Sequence, residues 1–236
     1  LPAWPAGDKD AALTMLAKLD DPAAREVVGN WFTRLEQGDC PPQVQLEVLD
    51  AASQSTDPEV LQRHKTYVER NATGDPLAQY ASSLLGGDAE LGRRIFEENT
   101  ALACRRCHSS DAGEKLVGPN LADVGLRLKR SELLESIVKP NAKIAEGFQT
   151  TVLQLDTGKV VAGILRSEDG AHAVLVDPDG KEVVVEAATI EDRFEGLSAM
   201  PEDLVKQMTP RDLRDLVEYL SSLGTPPDAA HGAAHE

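Results

Sequence analysis

Apolar residues in the first third of the chain recur at helical spacing, as in residues 11–19, where alanine, leucine and methionine return every three or four positions. In this part of the chain aspartate followed by proline, a typical helix start, occurs three times, at 21–22, 57–58 and 75–76. Two consecutive glycines then end the pattern. We therefore predict a helical domain over residues 1–86, built of short helices in the manner of degenerate helical repeats.

The hydrophobic period changes from helical to alternating between residues 148 and 193. Hairpin-type turns that contain glycine separate four apolar segments, at 151–155, 160–165, 173–176 and 183–185. One of these turns, Asp177-Pro178-Asp179-Gly180, lacks the remainder of a calcium-binding loop, so we interpret it as a plain hairpin turn. This part of the chain is predicted to form a small four-stranded antiparallel meander.

Helical spacing returns on both sides of the predicted sheet, at 88–98, 131–138 and 202–223. The predicted fold class is therefore mainly α with a small antiparallel β insert. The second domain is predicted to cover residues 87–224, with the insert inside it. The tail 225–236, which is rich in Pro, Ala, Gly and His, is expected to be disordered.

Acidic residues outnumber basic ones, 40 to 24, and the formal net charge is −16. Nucleic acids and anionic membrane surfaces attract basic patches, so neither is expected as a partner. The chain has no run of about 18 apolar residues, which predicts that no segment spans a membrane. Its first residues have neither the basic start nor the apolar core of a signal peptide.

The candidate chemistry is concentrated in the run Cys104-Arg105-Arg106-Cys107-His108. Cys-x-x-Cys-His is the attachment pattern of c-type haem, in which the two thiols add to the haem vinyl groups and the histidine becomes a ligand of the iron. The sequence therefore predicts one covalently bound haem c, held by Cys104, Cys107 and His108.

Two other uses of a Cys-x-x-Cys pair are less consistent with the sequence. A thiol–disulfide pair is expected in a thioredoxin-like strand and helix, whereas here a helical segment precedes the pair and a Gly-Pro loop follows it. A zinc site needs a second pair of ligands, but the remaining cysteine is Cys40, and His231 and His235 are expected to be solvated residues of the tail. Cys40 itself is expected to be a buried or inert thiol, with an intermolecular disulfide as the alternative.

The segments around the cysteine motif resemble the class I cytochrome c fold. In that fold a glycine and a following aromatic residue let the first helix cross the last helix closely. Gly92 and Phe96 occupy these two places upstream of the motif, and Tyr219 lies in the segment that corresponds to the last helix.

A second likeness to this fold lies downstream of the motif. Gly118-Pro119-Asn120-Leu121 is similar to the family's Gly-Pro-x-Leu loop. The resemblance implies that the Pro119 carbonyl oxygen accepts a hydrogen bond from the proximal imidazole of His108, which orients the ring. It also implies that Leu121 packs on the face of the haem.

The sixth iron ligand is predicted to be Met200, which stands directly before Pro201 and the closing helix, where cytochromes of this class carry a similar Met-Pro. Met208, a histidine or an open sixth position are the alternatives. A thioether ligand favours ferrous iron and raises the reduction potential. With both axial positions filled, the protein is expected to transfer electrons and not to act as an enzyme.

Residues 87–223 as a whole resemble the haem-binding domain family described from planctomycetes and Verrucomicrobia, in which a strand insert separates the two halves of a class I cytochrome c domain. The shared features are a Gly-Asp-Ala start, the cysteine motif, the Gly-Pro-x-Leu loop, the stretch 133–137, Asp-Gly turns, the Met-Pro and a Tyr-Leu helix. In that family the domain often follows helical repeats in large exported proteins, with which the helical residues 1–86 are consistent.

These features predict a monohaem c-type cytochrome that passes single electrons between redox partners in the periplasm or another exported compartment. The acidic charge favours a partner protein with a basic docking patch. The alternatives are a haem-based enzyme or small-ligand sensor with a labile sixth site, and an electron-relay domain of a larger exported dehydrogenase.

Overall fold

The computed structural model describes residues 6–72, 74–113 and 116–224, and side chains from residue 12 onward. The tail 225–236, predicted to be disordered, lies outside these residues. The described α-helices are α1 (Ala6–Lys18), α2 (Pro22–Glu36), α3 (Gln45–Ser53), α4 (Pro58–Asn71), α5 (Ala89–Glu98), α6 (Val124–Arg127), α7 (Arg130–Val138) and α8 (Pro210–Ser222). None of them is both long enough and apolar enough to cross a membrane.

Two of the three Asp-Pro pairs begin α-helices, as predicted. The side chain of Asp21 caps α2 by accepting a hydrogen bond of 3.0 Å from the Ala24 N–H, and Asp57 caps α4 in the same way. Each cap satisfies a backbone donor that the helix itself leaves without a partner. The third pair, at 75–76, leads only into the short 3-10 helix Ala78–Ser83.

The internal contacts of the chain define two compact units. The first consists of the residues up to Arg93 together with Met208–Tyr219, and the second of Arg94–Gln207 with the residues from Leu220 onward. Helices α5 and α8 therefore each contribute residues to both units. The domain boundary between residues 86 and 87 was predicted from sequence motifs, whereas these units are defined by internal contacts. The predicted boundary therefore stays a prediction.

The first unit has a hydrophobic core among its N-terminal helices. Val28, Phe32, Val48 and Ala52 are at most 1% exposed in this core, because the helical spacing of apolar residues places them on one face of each helix. Cys40 belongs to the same cluster and pairs with neither Cys104 nor Cys107, and burial raises the pKa of its thiol. It is therefore a buried thiol, as expected.

A buried ion pair joins α3 to α8 within the first unit. The side chains of Glu47 and Arg214 are in direct contact and are 2% and 1% exposed. Arg211, which precedes Arg214 on α8, forms a second ion pair with α3, in which its Nε lies 2.7 Å from the Asp50 carboxylate. Because burying a charge is costly unless a partner compensates it, this pair fixes the register of α8 against α3.

The first turns of α5 approach α8 closely in the same unit. A Cβ at Gly92 would overlap the carbonyl oxygen of Asp215 and lie 2.7 Å from the Tyr219 Cβ, so this approach requires glycine. The Asp88 N–H also donates a hydrogen bond of 2.9 Å to the Asp215 carboxylate. This is the close helix crossing that the resemblance implies for Gly92 and Tyr219.

The second unit contains a five-stranded antiparallel sheet. Its strands are β1 (Thr150–Leu155), β2 (Val160–Glu168), β3 (His172–Val176), β4 (Glu182–Glu186) and β5 (Ile190–Glu195), in the order β4-β3-β2-β1-β5. The prediction of a mainly α fold with a small four-stranded insert is therefore wrong, because the fold is mixed α/β. β5 escaped prediction because charged residues fill most of its positions, a pattern typical of an edge strand.

The two faces of the sheet have different neighbours. On one face Leu153, Ala173 and Leu175 are fully buried within a cluster of strand residues. On the other face Ile164 and Val176 pack against Val117, which precedes the Gly-Pro loop. The sheet therefore supports the loop that follows the cysteine motif.

Candidate haem attachment site

The cysteine motif forms a single tight turn after α5. Cys104–Arg106 is a 3-10 helix, and the N–H groups of Cys107 and His108 both donate to the Cys104 carbonyl oxygen, at 3.2 and 3.0 Å. Both thiols are free of disulfides, and they and the imidazole are half-buried. The three side chains predicted to hold haem therefore belong to one compact segment.

A strained residue directly precedes this turn. Ala103 has a φ of 47°, the one positive value among the non-glycine residues that the structure describes. The Asn99 carbonyl oxygen accepts a hydrogen bond of 2.8 Å from the Ala103 N–H, and the Asn99 side chain accepts from the two preceding N–H groups. Such backbone conformations persist only where their surroundings fix them. Here the end of α5 fixes the direction in which the chain enters the motif.

His108 is held by the Gly-Pro loop that follows it. Its Nδ1 lies 2.9 Å from the Pro119 carbonyl oxygen, so in the neutral ring Nδ1–H donates to that oxygen and Nε2 keeps its lone pair. Burial lowers the pKa of His108, and the bond to Pro119 opposes this effect less strongly. The imidazole is therefore neutral at neutral pH and oriented, which is the form that binds a metal ion through Nε2.

The Gly-Pro loop folds back onto the motif through backbone hydrogen bonds. The Gly118 N–H donates to the Cys107 carbonyl oxygen at 2.7 Å, and the Leu121 N–H donates to the Ser109 carbonyl oxygen at 2.8 Å. A Cβ at Gly118 would lie 2.7 Å from the His108 ring, so the loop can come this close only with glycine there. The predicted residues of this loop thus lie beside the cysteine motif.

Burial governs the chemistry of the two thiols. It raises the pKa of Cys104 to about 11 and also raises the pKa of Cys107, where nearby Arg106 opposes it in part. Redox-active Cys-x-x-Cys pairs depend instead on a lowered thiol pKa, because the thiolate is the reactive form. The raised pKa values leave less thiolate at neutral pH and so do not favour disulfide exchange at this pair.

Met200 lies in the same unit as the motif, on the loop that follows β5. Its side chain is half-buried, and its N–H donates to the Ser198 hydroxyl at 3.1 Å. The Ser198 N–H donates at 2.7 Å to the side chain of Asn141, which comes shortly after α7. Met208, the alternative ligand, is 8% exposed and belongs to the first unit.

The structure thus brings most of the predicted site residues together around the cysteine motif. The residues gathered at the motif are Cys104, Cys107, His108, Gly118, Pro119 and Leu121, while Met200 occupies its own loop. Among the described residues no group of three or more His, Cys, Asp and Glu is placed to hold a metal ion. A c-type haem requires no such group, because the porphyrin itself supplies the equatorial ligands.

Two residues that contact these segments were missed by the sequence analysis. Asp179, in the turn between β3 and β4, forms an exposed ion pair with Arg106 inside the cysteine motif. Asn141 holds the loop of Met200. An aspartate in a hairpin turn and an asparagine after a helix are common, so neither residue carried a sequence signal that set it apart.

Neither the protein-family models nor the curated proteins with which the chain was compared gave a match. The resemblance to class I cytochromes c therefore depends on the motifs and on the geometry of this site, and membership of the haem-binding domain family stays a prediction.

Proposed function

We propose that the chain is a monohaem c-type cytochrome that transfers single electrons between redox partners. The thiols of Cys104 and Cys107 form thioethers with one haem, His108 is the proximal ligand and Met200 is the sixth ligand. The observation that carries the proposal is the 2.9 Å contact between the His108 Nδ1 and the Pro119 carbonyl oxygen. It leaves Nε2 of a neutral, oriented imidazole available directly after the two attachment thiols.

The residues around His108 have distinct parts in this proposal. Pro119 holds the orientation of the ring and strengthens Nε2 as a donor. Gly118 allows the His108 ring to pack directly against the loop, since a side chain at position 118 would collide with the ring. These residues would hold a haem iron, which would supply the exchange of one electron between the ferrous and ferric states.

Met200 is the proposed ligand opposite His108. Its half-buried side chain stands on a hydrogen-bonded loop of the same unit as the motif, which supports it over the buried Met208 of the first unit. A thioether stabilises ferrous iron and raises the reduction potential. With His108 and Met200 both bound to the iron, a haem held here would leave no position for a substrate and would supply electron transfer alone.

The partner is proposed to be a redox protein with a basic docking patch, because this chain carries a net charge of −16 and opposite charges steer encounter. The proposed location is the periplasm or another exported compartment, where c-type haem is attached to its protein.

Expression together with a haem-attachment system tests the covalent part of the proposal. We expect one haem per chain, which stays on the polypeptide after denaturation. The double variant Cys104→Ser/Cys107→Ser should lose this covalent haem, while the control Cys40→Ser should keep it because Cys40 lies outside the motif. Haem that dissociates from the denatured wild type would contradict covalent attachment.

Absorption spectra of the same preparations test the axial ligands. The ferric wild type should show the weak far-red band of methionine ligation, which Met200→Ala should abolish and the control Met208→Leu should retain. Carbon monoxide should bind weakly or slowly to the reduced wild type and rapidly to Met200→Ala. Rapid, tight binding to the wild type would instead support the enzyme or sensor alternative.

A further inference from the structure

One asparagine side chain bonds the chain on both sides of Met200. The Asn141 Oδ1 accepts a hydrogen bond of 2.7 Å from the Ser198 N–H, and its Nδ2 donates to the Glu202 carboxylate. These partners are 57 and 61 residues away along the chain, so the bonds are tertiary contacts and not part of a local turn. Asn141 therefore spans the loop that carries the proposed sixth ligand.

A further hydrogen bond extends this restraint to Met200 itself. The Met200 N–H donates to the Ser198 hydroxyl at 3.1 Å, which is a common local bond of serine to the backbone two residues on. Ser198 thus receives one bond from Met200 and gives one to Asn141. Moving the backbone of Met200 away from this position breaks a connected set of bonds.

The segment from which Asn141 reaches is itself well anchored. Helix α7 buries one face, formed by Leu133, Leu134, Ile137 and Val138. Pro140 is buried, and the Ala142 N–H donates to the Lys139 carbonyl oxygen at 2.9 Å, which closes a turn around Asn141. The 3-10 helix Leu204–Gln207, which follows Met200, packs against α7. The asparagine is therefore a fixed point against which the loop is held.

We propose that Asn141 is a positioning residue that keeps the Met200 sulfur on the haem iron by holding its loop closed against the end of α7. The inference rests on the proposed function, because it takes Met200 as the sixth ligand. An added ligand binds only when the loop opens, so its apparent affinity follows the fraction of open protein. Bonds that only the closed loop makes lower this fraction.

Competition by an added ligand measures this effect. Asn141→Ala removes both side-chain bonds, so imidazole should bind to the ferric protein roughly tenfold more tightly than to the wild type. Carbon monoxide should bind to the reduced variant correspondingly faster, and the amides of Ser198 and Met200 should exchange hydrogen faster. The control is Asn71→Ala, since the Asn71 side chain donates back into its own helix, to the Tyr67 carbonyl oxygen, and it should match the wild type.

The outcomes separate this inference from the function on which it rests. A wild type without the methionine band would overturn both. A wild type with the band, together with an Asn141→Ala variant that binds imidazole no better than the control, would overturn the positioning role alone. If Asn141→Ala does not fold, the exposed Glu202→Ala removes one of the two bonds. It should then tighten imidazole binding about threefold, and an unchanged affinity would refute the role.

Discussion

At Ala103 the chain adopts a backbone conformation that its residue type disfavours. A φ of 47° places the residue in the left-handed region, which costs an alanine about 1–2 kcal/mol. The residue stands between the end of α5 and the turn of Cys104, so the strain occurs where the chain must change direction to begin the site. The hydrogen bonds of Asn99 offset part of this cost.

Replacing Ala103 by glycine should therefore stabilise the protein. Glycine adopts the left-handed conformation without strain. Its greater conformational freedom in the unfolded chain, however, lowers the free energy of unfolding by about 0.4–1 kcal/mol. We expect a net rise of roughly 0.5–1 kcal/mol in the free energy of unfolding, measured with urea. The control Ala101→Gly, at an exposed position without positive φ, should lower it. A loss of stability in both variants would show that Ala103 is unstrained.

Sequence predicts residues whose type and spacing carry the chemistry. Cys104, Cys107 and His108 were identified because the attachment of haem c needs those groups at that spacing, and Gly118 because its segment resembles the Gly-Pro-x-Leu loop of class I cytochromes c. The bonds of Asn141 depend on which distant segments fold together. No residue type or spacing near position 141 encodes that, so this part of the site became visible only in the fold.

At the scale of elements, the sheet explains both the error in fold class and part of the site. Its edge strand β5 pairs with β1 through residues such as Phe194 and Val152, but its charged positions hide the alternation that predicted the other strands. Its second face carries Ile164 and Val176, which pack against Val117. Since Gly118 comes next and bonds to Cys107, the sheet is a support for the loop that orients His108.

Loss of this support should loosen the loop before it unfolds the chain. Val176→Ala leaves a cavity under Val117 and should destabilise the protein by roughly 1–3 kcal/mol, with faster hydrogen exchange at the Gly118 amide. Val185→Ala is the matched control, because Val185 is also 5% exposed but lies in the cluster on the opposite face. It should destabilise to a similar degree without this local effect. Equal exchange at Gly118 in both variants would show that the sheet does not support the loop.

At the scale of the whole molecule, the main electrostatic feature is the negative net charge, which ion pairs between individual residues cannot neutralise. With 40 acidic and 24 basic residues, an acidic excess remains even if every basic residue is paired. The described ion pairs are largely exposed, such as Arg193 with Glu168 at 41% and 35%, and pairs of this kind add little stability. The excess negative charge instead attracts or repels charged partners as they approach the protein.

Electron transfer with small inorganic complexes measures this action directly. For the haem-loaded protein, the rate constant with a cationic complex should fall as the salt concentration rises from about 0.01 to 0.15 M, because the screening length shrinks from roughly 30 to 8 Å. The rate constant with an anionic complex should rise over the same range, and that with a neutral complex should stay constant. Stopped-flow absorption at the haem bands follows all three reactions. If the two rate constants change in opposite directions with salt, the acidic excess steers the reaction. If they change equally, the reacting surface does not sense the net charge, and the expected preference for a basic partner is wrong.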